Sequence, residues 1–143
     1  MPSDFALKTM NSLHRGLLKV SGGRLGRTAG GMPVLAVTTT GRKTGRSHTV
    51  MLTSPVQTPS AYVIVASRGG DDQHPAWFLN LRANPDVEVA IEGGPTQRRR
   101  ARVATSEERA ELWPEVTAKY RNYAKYQTKT AREIPLVLLE PPA

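Results

Sequence analysis

Apolar side chains recur along this chain at two periods, and the change from one to the other divides it into elements. From Ser3 to Val20, residues Phe5, Met10, Leu13, Leu17 and Val20 fall at helical spacing with Lys8, Arg15 and Lys19 between them. This pattern predicts an amphipathic helix that ends at Ser21-Gly22-Gly23. A basic, Gly-rich link from Arg24 to Gly31 follows, and from Pro33 the pattern shortens to that of strands. Pro33 to Thr40 is apolar and β-branched, Ser47 to Ser54 and Ser60 to Ala66 are set apart by Pro55 and Pro59, and Val87 to Glu92 alternates apolar with charged residues for most of its length. The second and third of these strands read as consecutive members of an antiparallel meander, and Thr96 to Ala104 as the partner of Val87 to Glu92. Ile134 to Leu139 is a last buried strand, with Pro135 at an edge, at a bulge or among its first residues. Two further segments are helical: a short helix over residues 75–84, stopped by Pro85, and a longer one over residues 106–128. The second opens on the capping box Thr105-Ser106-Glu107-Glu108, with Pro114 starting or kinking its later part. The order predicts a mainly β (α+β) fold: a small barrel of about six mostly antiparallel strands rather than a βαβ sheet.

Composition narrows the class. The 143 residues suit one compact body, here residues 33–143, preceded by the helix and basic link of residues 1–32. With no cysteine there is no disulfide framework, thiolate nucleophile or Cys-ligated metal. No apolar run approaches the roughly 18 residues of a spanning helix, and no signal core opens the chain, so a cytoplasmic location is expected. The net charge of +8 is uneven: +7 over residues 1–50, −3 over 51–97 and +4 over 98–143. Such a basic flank suits a polyanionic small molecule, an anionic membrane surface or nucleic acid, and it also serves solubility.

Three constellations can carry chemistry. In Thr39-Thr40-Gly41-Arg42-Lys43-Thr44-Gly45-Arg46, two glycines allow a tight turn and three cations share one loop. That loop either grips phosphate and carboxylates or is simply a charged hairpin turn, and it lacks the spacing of a P-loop. The run from Ala66 to Leu81 joins a strand end to a short helix, where Ser67, Arg68, Trp77 and Asn80 can face a ligand and Trp77, Phe78 and Leu81 can equally be core. Tyr120, Tyr123 and Tyr126 lie three residues apart, so a helix spreads them over an arc of about 120°. They can wall a pocket for a flat acceptor and donate a proton to a developing oxyanion, or act as half-buried helix anchors. His14, His48 and His74 have no partner at ligand spacing, so no metal is expected. Arg98-Arg99-Arg100-Ala101-Arg102 reads as an exposed edge strand protected against aggregation, with no catalytic role.

In combination, Thr-Thr-Gly-Arg-Lys-Thr-Gly at 39–45, Ala-Ser-Arg-Gly-Gly at 66–70, Pro-Ala-Trp-Phe-Leu-Asn-Leu-Arg-Ala-Asn-Pro at 75–85, Thr-Ser-Glu-Glu-Arg-Ala-Glu-Leu-Trp-Pro at 105–114, and the tyrosine helix ending in Arg-Glu-Ile-Pro-Leu-Val-Leu-Leu-Glu-Pro at 132–141 are distinctive. Over about residues 33–141 the chain resembles the deazaflavin-dependent nitroreductase family of actinobacteria. The resemblance implies a split β-barrel that binds coenzyme F420, a 5-deazaflavin with a phosphate and an oligoglutamate tail, and passes its hydride to quinones or nitroaromatics. By the same resemblance Gly41, Arg42 and Lys43 hold the phosphate and tail, with Thr44, Arg46, His48, Val50 and Met51 beside them. Ala66, Ser67, Arg68, Gly69, Trp77 and Asn80 flank the deazaflavin; Ser67, Tyr120, Tyr123 and Tyr126 line the acceptor pocket, with Tyr123 the expected proton donor. Two departures from the family pattern matter. Arg68 stands where members often carry Lys, which keeps the charge. Ser47 to Thr53 lacks the Asn-Pro step and Tyr of a prodrug-activating member, so quinone reduction is implied more strongly than nitroimidazole activation.

The helix over residues 3–20 is expected to pack on the barrel, join a dimer or touch anionic lipid, and the chain is expected to be a monomer or homodimer. Two alternatives compete: a basic barrel for RNA or single-stranded DNA, and a split barrel holding FMN or haem. The first wants aromatics interleaved with cations on strands, where only Tyr62 is found; the second leaves the cationic loop without a long anionic tail to hold.

Overall fold

The structure, a computed structural model, describes residues 28–142; the expected helix over residues 3–20 and the link as far as Arg27 lie outside the described residues. Eight antiparallel strands, β1 (Thr28–Ala29), β2 (Met32–Thr40), β3 (Ser47–Thr53), β4 (Val56–Gln57), β5 (Tyr62–Val65), β6 (Asp86–Ile91), β7 (Thr96–Val103) and β8 (Leu136–Glu140), form one curled sheet. Three helices accompany it: α1 (Ala76–Ala83), α2 (Ser106–Lys119) and α3 (Arg121–Thr128). The six longer strands are those expected from the alternation, and β1 and β4 add two residues each. Gly30 and Gly31, both at positive φ, make the two-residue turn that pairs Ala29 with Met32, so the end of the basic link belongs to the sheet.

The strand order is β1-β2-β6-β7-β8-β5-β4, with β3 also on β2. Consequently β3 and β5 are not meander neighbours as expected; they lie toward opposite ends of the order. Ser54 and Pro55, both buried, carry the chain between those ends. The Ser54 N–H donates to Pro33 O at 3.1 Å, and its hydroxyl lies 2.7 Å from Val63 O and 2.9 Å from Val56 O. Through its backbone N–H on β2 and its hydroxyl on β4 and β5, this residue ties both ends of the curled sheet, which makes the half-barrel.

Period-two alternation sorts the strands onto two cores. Leu35, Val37, Ile64, Val87, Val89, Val137 and Leu139 enclose one with Phe78 and Leu81 of α1. Val63, Val65, Leu136 and Leu138 face the other way, under Val116 of α2 and Tyr123 of α3. The capping box of α2 is present, with Glu108 N–H donating to Thr105 Oγ1 and Thr105 N–H to Glu108 Oε1. The expected single helix over residues 106–128 is two. Pro114 sits inside α2, and the break comes later, at Tyr120, whose backbone is extended at φ −134° and ψ 91°. Buried Val116 and buried Tyr123, one on each side of that break, meet the same core.

β7 is not an edge. It lies between β6 and β8, and Arg99, Arg100 and Arg102 have side-chain partners along the sheet surface. Arg99 donates to Ser60 O and Leu139 O and covers the Tyr62 ring, while Arg102 grips Glu108 at 2.6 and 2.8 Å and Glu140 at 2.9 and 3.1 Å. Arg102 holds the Glu108 carboxyl down to about 2 from an ordinary 4.5, and lowers Glu140 as well. A carboxyl lowered in the native state stabilises fully above its ordinary value and loses that contribution as pH falls toward the native one. Arg102→Met is therefore expected to cost about 1–2 kcal/mol near neutral pH, a figure reduced for a half-exposed network, and progressively less from pH 4.5 toward 2. Thermal melts across that range check it; a deficit independent of pH contradicts the ion-pair origin.

Candidate active site

The β2–β3 hairpin presents the first constellation. Gly41 N–H donates to Arg46 O at 2.7 Å, and Gly45, at φ +73°, returns its N–H to Gly41 O at 2.9 Å. Thr44 Oγ1 accepts from Arg46 N–H, so this hydroxyl closes the turn. A Cβ on Gly41 would stand 2.9 Å from His48 Nε2 and 3.0 Å from Thr44 Oγ1; the glycine lets His48 pack over the turn. Arg42, Lys43 and Arg46 are exposed at its tip.

The hairpin is tied to α1. Buried Asn80 accepts at Oδ1 from Arg42 N–H at 3.2 Å and from Arg42 Nη1 at 2.8 Å, and its amide donates to buried Thr39 Oγ1 at 3.4 Å. Asn80 is thus occupied by protein partners and acts by aiming Arg42. Trp77, half-buried one turn earlier, packs on the enclosed core and sits edge-on to Phe78. Along β3 the expected cofactor residues divide by face. Val50 packs against the enclosed core, and period-two alternation turns Met51 to the other face of the strand.

The second constellation is a tight turn after β5, with three consecutive left-handed residues: Arg68 at φ 47°, Gly69 at 64° and Gly70 at 87°. Ala66 is wholly buried, its N–H donating to Pro135 O at 3.0 Å and its carbonyl accepting from Arg132, and Ser67 is half-buried. Arg68, expected to neutralise phosphate, is ion-paired with Asp71 at 2.7 Å, both side chains little exposed, and part of its charge is already matched. α3 packs directly on this turn: a Cβ on Gly70 would meet Tyr126 O at 2.7 Å.

The third constellation follows from that packing. Tyr120–Tyr123 and Tyr123–Tyr126 are edge-to-face pairs, with ring centroids 6.4 and 6.0 Å apart. Tyr123 is the buried member, at 7% exposure, flanked by half-buried Tyr120 and Tyr126. Among the described residues the Tyr123 hydroxyl has long contacts only, 3.4 Å to Thr53 Oγ1 and 3.8 Å to Met32 Sδ. Burial pushes its pKa up, so the phenol keeps its proton.

The hairpin meets α1, α1 follows the Arg68–Gly70 turn, that turn meets α3, and α3 returns to the end of β3. A family model described as F420H(2)-dependent quinone reductase matches residues 12–141. The chain belongs to this family. An F420H(2)-dependent quinone reductase of Mycobacterium tuberculosis is 39% identical over 132 residues, 89% of this chain and 87% of that one. Among solved structures, an F420-H2 dependent reductase, FDR-A, is 42% identical with a TM-score of 0.66 over 76% of this chain and 94% of that one. Another, described as a domain-swapped dimer, is 36% identical with a TM-score of 0.67 over 88% and 98%.

This family member is therefore an F420-dependent oxidoreductase with a split-barrel fold, and the nucleic-acid, FMN and haem alternatives are not supported. Its residues fit the coenzyme: a long anionic tail needs exposed cations on a turn that approaches closely, which Arg42, Lys43 and Arg46 around Gly41 provide. Arg132 in this reductase was missed by sequence reasoning; it donates to Ala66 O, Ser67 O and Asp71 O from 61 to 66 residues away. Its only sequence signal is its place in the Arg-Glu-Ile-Pro block.

Proposed function

We propose that this reductase passes electrons from F420 to a menaquinone-like quinone, with nitroaromatics as secondary acceptors, across a site between the β2–β3 hairpin, the Ala66–Gly69 turn and α3. The observation that carries this reading is that Asn80 joins the cationic hairpin to α1 while Gly70 seats α3 on the turn. Bound F420 supplies the hydride. Lys43 and Arg46 hold the anionic tail, Arg42 is aimed by Asn80, and Ser67 with Trp77 borders the ring. Tyr120 and Tyr126 exclude water from the acceptor, and Tyr123 holds a proton at its hydroxyl beside Thr53, with no short competing bond among the described residues. Fluorescence titration with F420, followed by menadione and chemically reduced coenzyme, tests the reading: saturable binding with protein-dependent reoxidation supports it, and absence of binding at micromolar protein sinks it.

Tyr123→Phe is expected to lower turnover about tenfold or more and to leave the Kd for F420 within about twofold, since the phenol serves the acceptor and not the tail. Wild-type turnover across a panel of quinones would remove its proton role. The proposal includes a homodimer, supported by the domain-swapped relative and checked by sedimentation. It also includes peripheral contact of residues 3–20 with anionic lipid, checked by co-sedimentation with phosphatidylglycerol vesicles. Among the described residues no helix is long and apolar enough to cross a membrane.

A further inference from the structure

We infer that Arg132 is a positioning residue that sets the spacing between the two walls of the F420 site; this rests on the placement of that site along Ala66–Gly69 and α1. The wall formed by the turn is conformationally costly. Arg68 lies in the left-handed region, which side chains disfavour, and Gly69 and Gly70 follow it there. Within the turn, two backbone bonds resist relaxation, Gly70 N–H to Ser67 O at 2.9 Å and Asp71 N–H to Arg68 O at 3.2 Å.

Arg132 braces the turn from outside. Its Nη1 donates to Ala66 O at 3.2 Å and its Nη2 to Ser67 O at 2.8 Å, on the entering side. Its Nε donates to Asp71 O at 2.8 Å, on the leaving side. One planar fork thus spans the whole turn. The same Nη1 lies 3.2 Å from His74 Nδ1, and since a guanidinium only donates, this nitrogen accepts. His74 packs with its ring tilted at 4.7 Å against Phe78, a buried residue of α1 between Trp77 and the turn of helix that carries Asn80. Arg132 is itself held, by Gln127 Nε2 donating to its carbonyl at 2.7 Å and by its N–H on Thr130 Oγ1. Among the described residues the hydrogen-bond partners of its guanidinium are carbonyls and a ring nitrogen, not a carboxylate, so the guanidinium serves as a template for backbone. Lysine, with one nitrogen, cannot reach three carbonyls in a plane.

Arg132→Lys and Arg132→Ala test this in the full chain, with F420 as the titrant and amide hydrogen exchange in the coenzyme-free protein. Expected are a Kd for F420 raised about tenfold or more in the alanine variant and less in the lysine variant, and exchange at Gly70 and Asp71 faster by a similar factor. Exchange in β7 and β8 stays as in the wild type. Simple destabilisation would lower the number of binding sites and leave the Kd of the folded fraction unaltered. Should the alanine variant not fold, the lysine variant carries the test. A Kd within twofold of wild type in every folded variant overturns the inference. Wild-type protein that fails to bind F420 overturns the site reading instead, and unchanged Gly70 and Asp71 exchange then overturns the brace as well.

Discussion

Gly70→Ala is expected to destabilise the protein by about 3 kcal/mol and to lower its melting temperature by about 10 °C. Two costs combine. At φ +87° a side chain pays on the order of 1–2 kcal/mol in backbone strain, wherever it points. The added Cβ would also lie 2.7 Å from Tyr126 O and 3.1 Å from Lys129 Cβ and Cδ. Lys129 can swing aside, but Tyr126 O is backbone in α3 and moves only with the helix, which carries buried Tyr123 out of its core. Gly45→Ala is the control: φ there is +73° with nothing within 4 Å, so only the strain cost applies, about 1 kcal/mol. Equal losses in the two variants would show that the close approach of α3 to the turn contributes nothing.

The second large effect falls on binding. Replacing Lys43 and Arg46 together by alanine is expected to raise the Kd for F420 about 100-fold at low ionic strength, because two charge-assisted contacts to the tail are lost at roughly 1.5 kcal/mol each. The deficit narrows as salt screens the exposed hairpin, while stability changes by less than about 0.5 kcal/mol and turnover at saturating coenzyme is retained. Calorimetric titrations at two salt concentrations measure this. An unchanged Kd at low salt would mean that the tail does not lie on the hairpin.

Much of the site is written locally. Gly41, Gly45 and the cations between them are contiguous, and a hairpin turn with its charges outward is the form such a segment takes wherever it sits. The alternation in Val87–Glu92, the capping box at Thr105 and the proline before α1 depend on neighbours within a few residues, so they were legible, and five motifs in order carried the family. Local patterning therefore determined most of the elements and the chemistry-bearing blocks, and the family resemblance those blocks carry implied the cofactor class.

Tertiary structure decided which elements meet. Arg98 to Arg102 has the composition of an edge, yet β7 is central because β8 arrives from beyond two helices to pair with it. Ser47–Thr53 and Tyr62–Val65 look like neighbours, yet Ser54 turns the chain to the opposite end of the sheet. The break at Tyr120, the burial of Tyr123 and the reach of Arg132 to Ala66 and Ser67 share one cause. Each is set by a partner supplied through long-range packing, and periodicity records which face of an element is buried without recording what buries it.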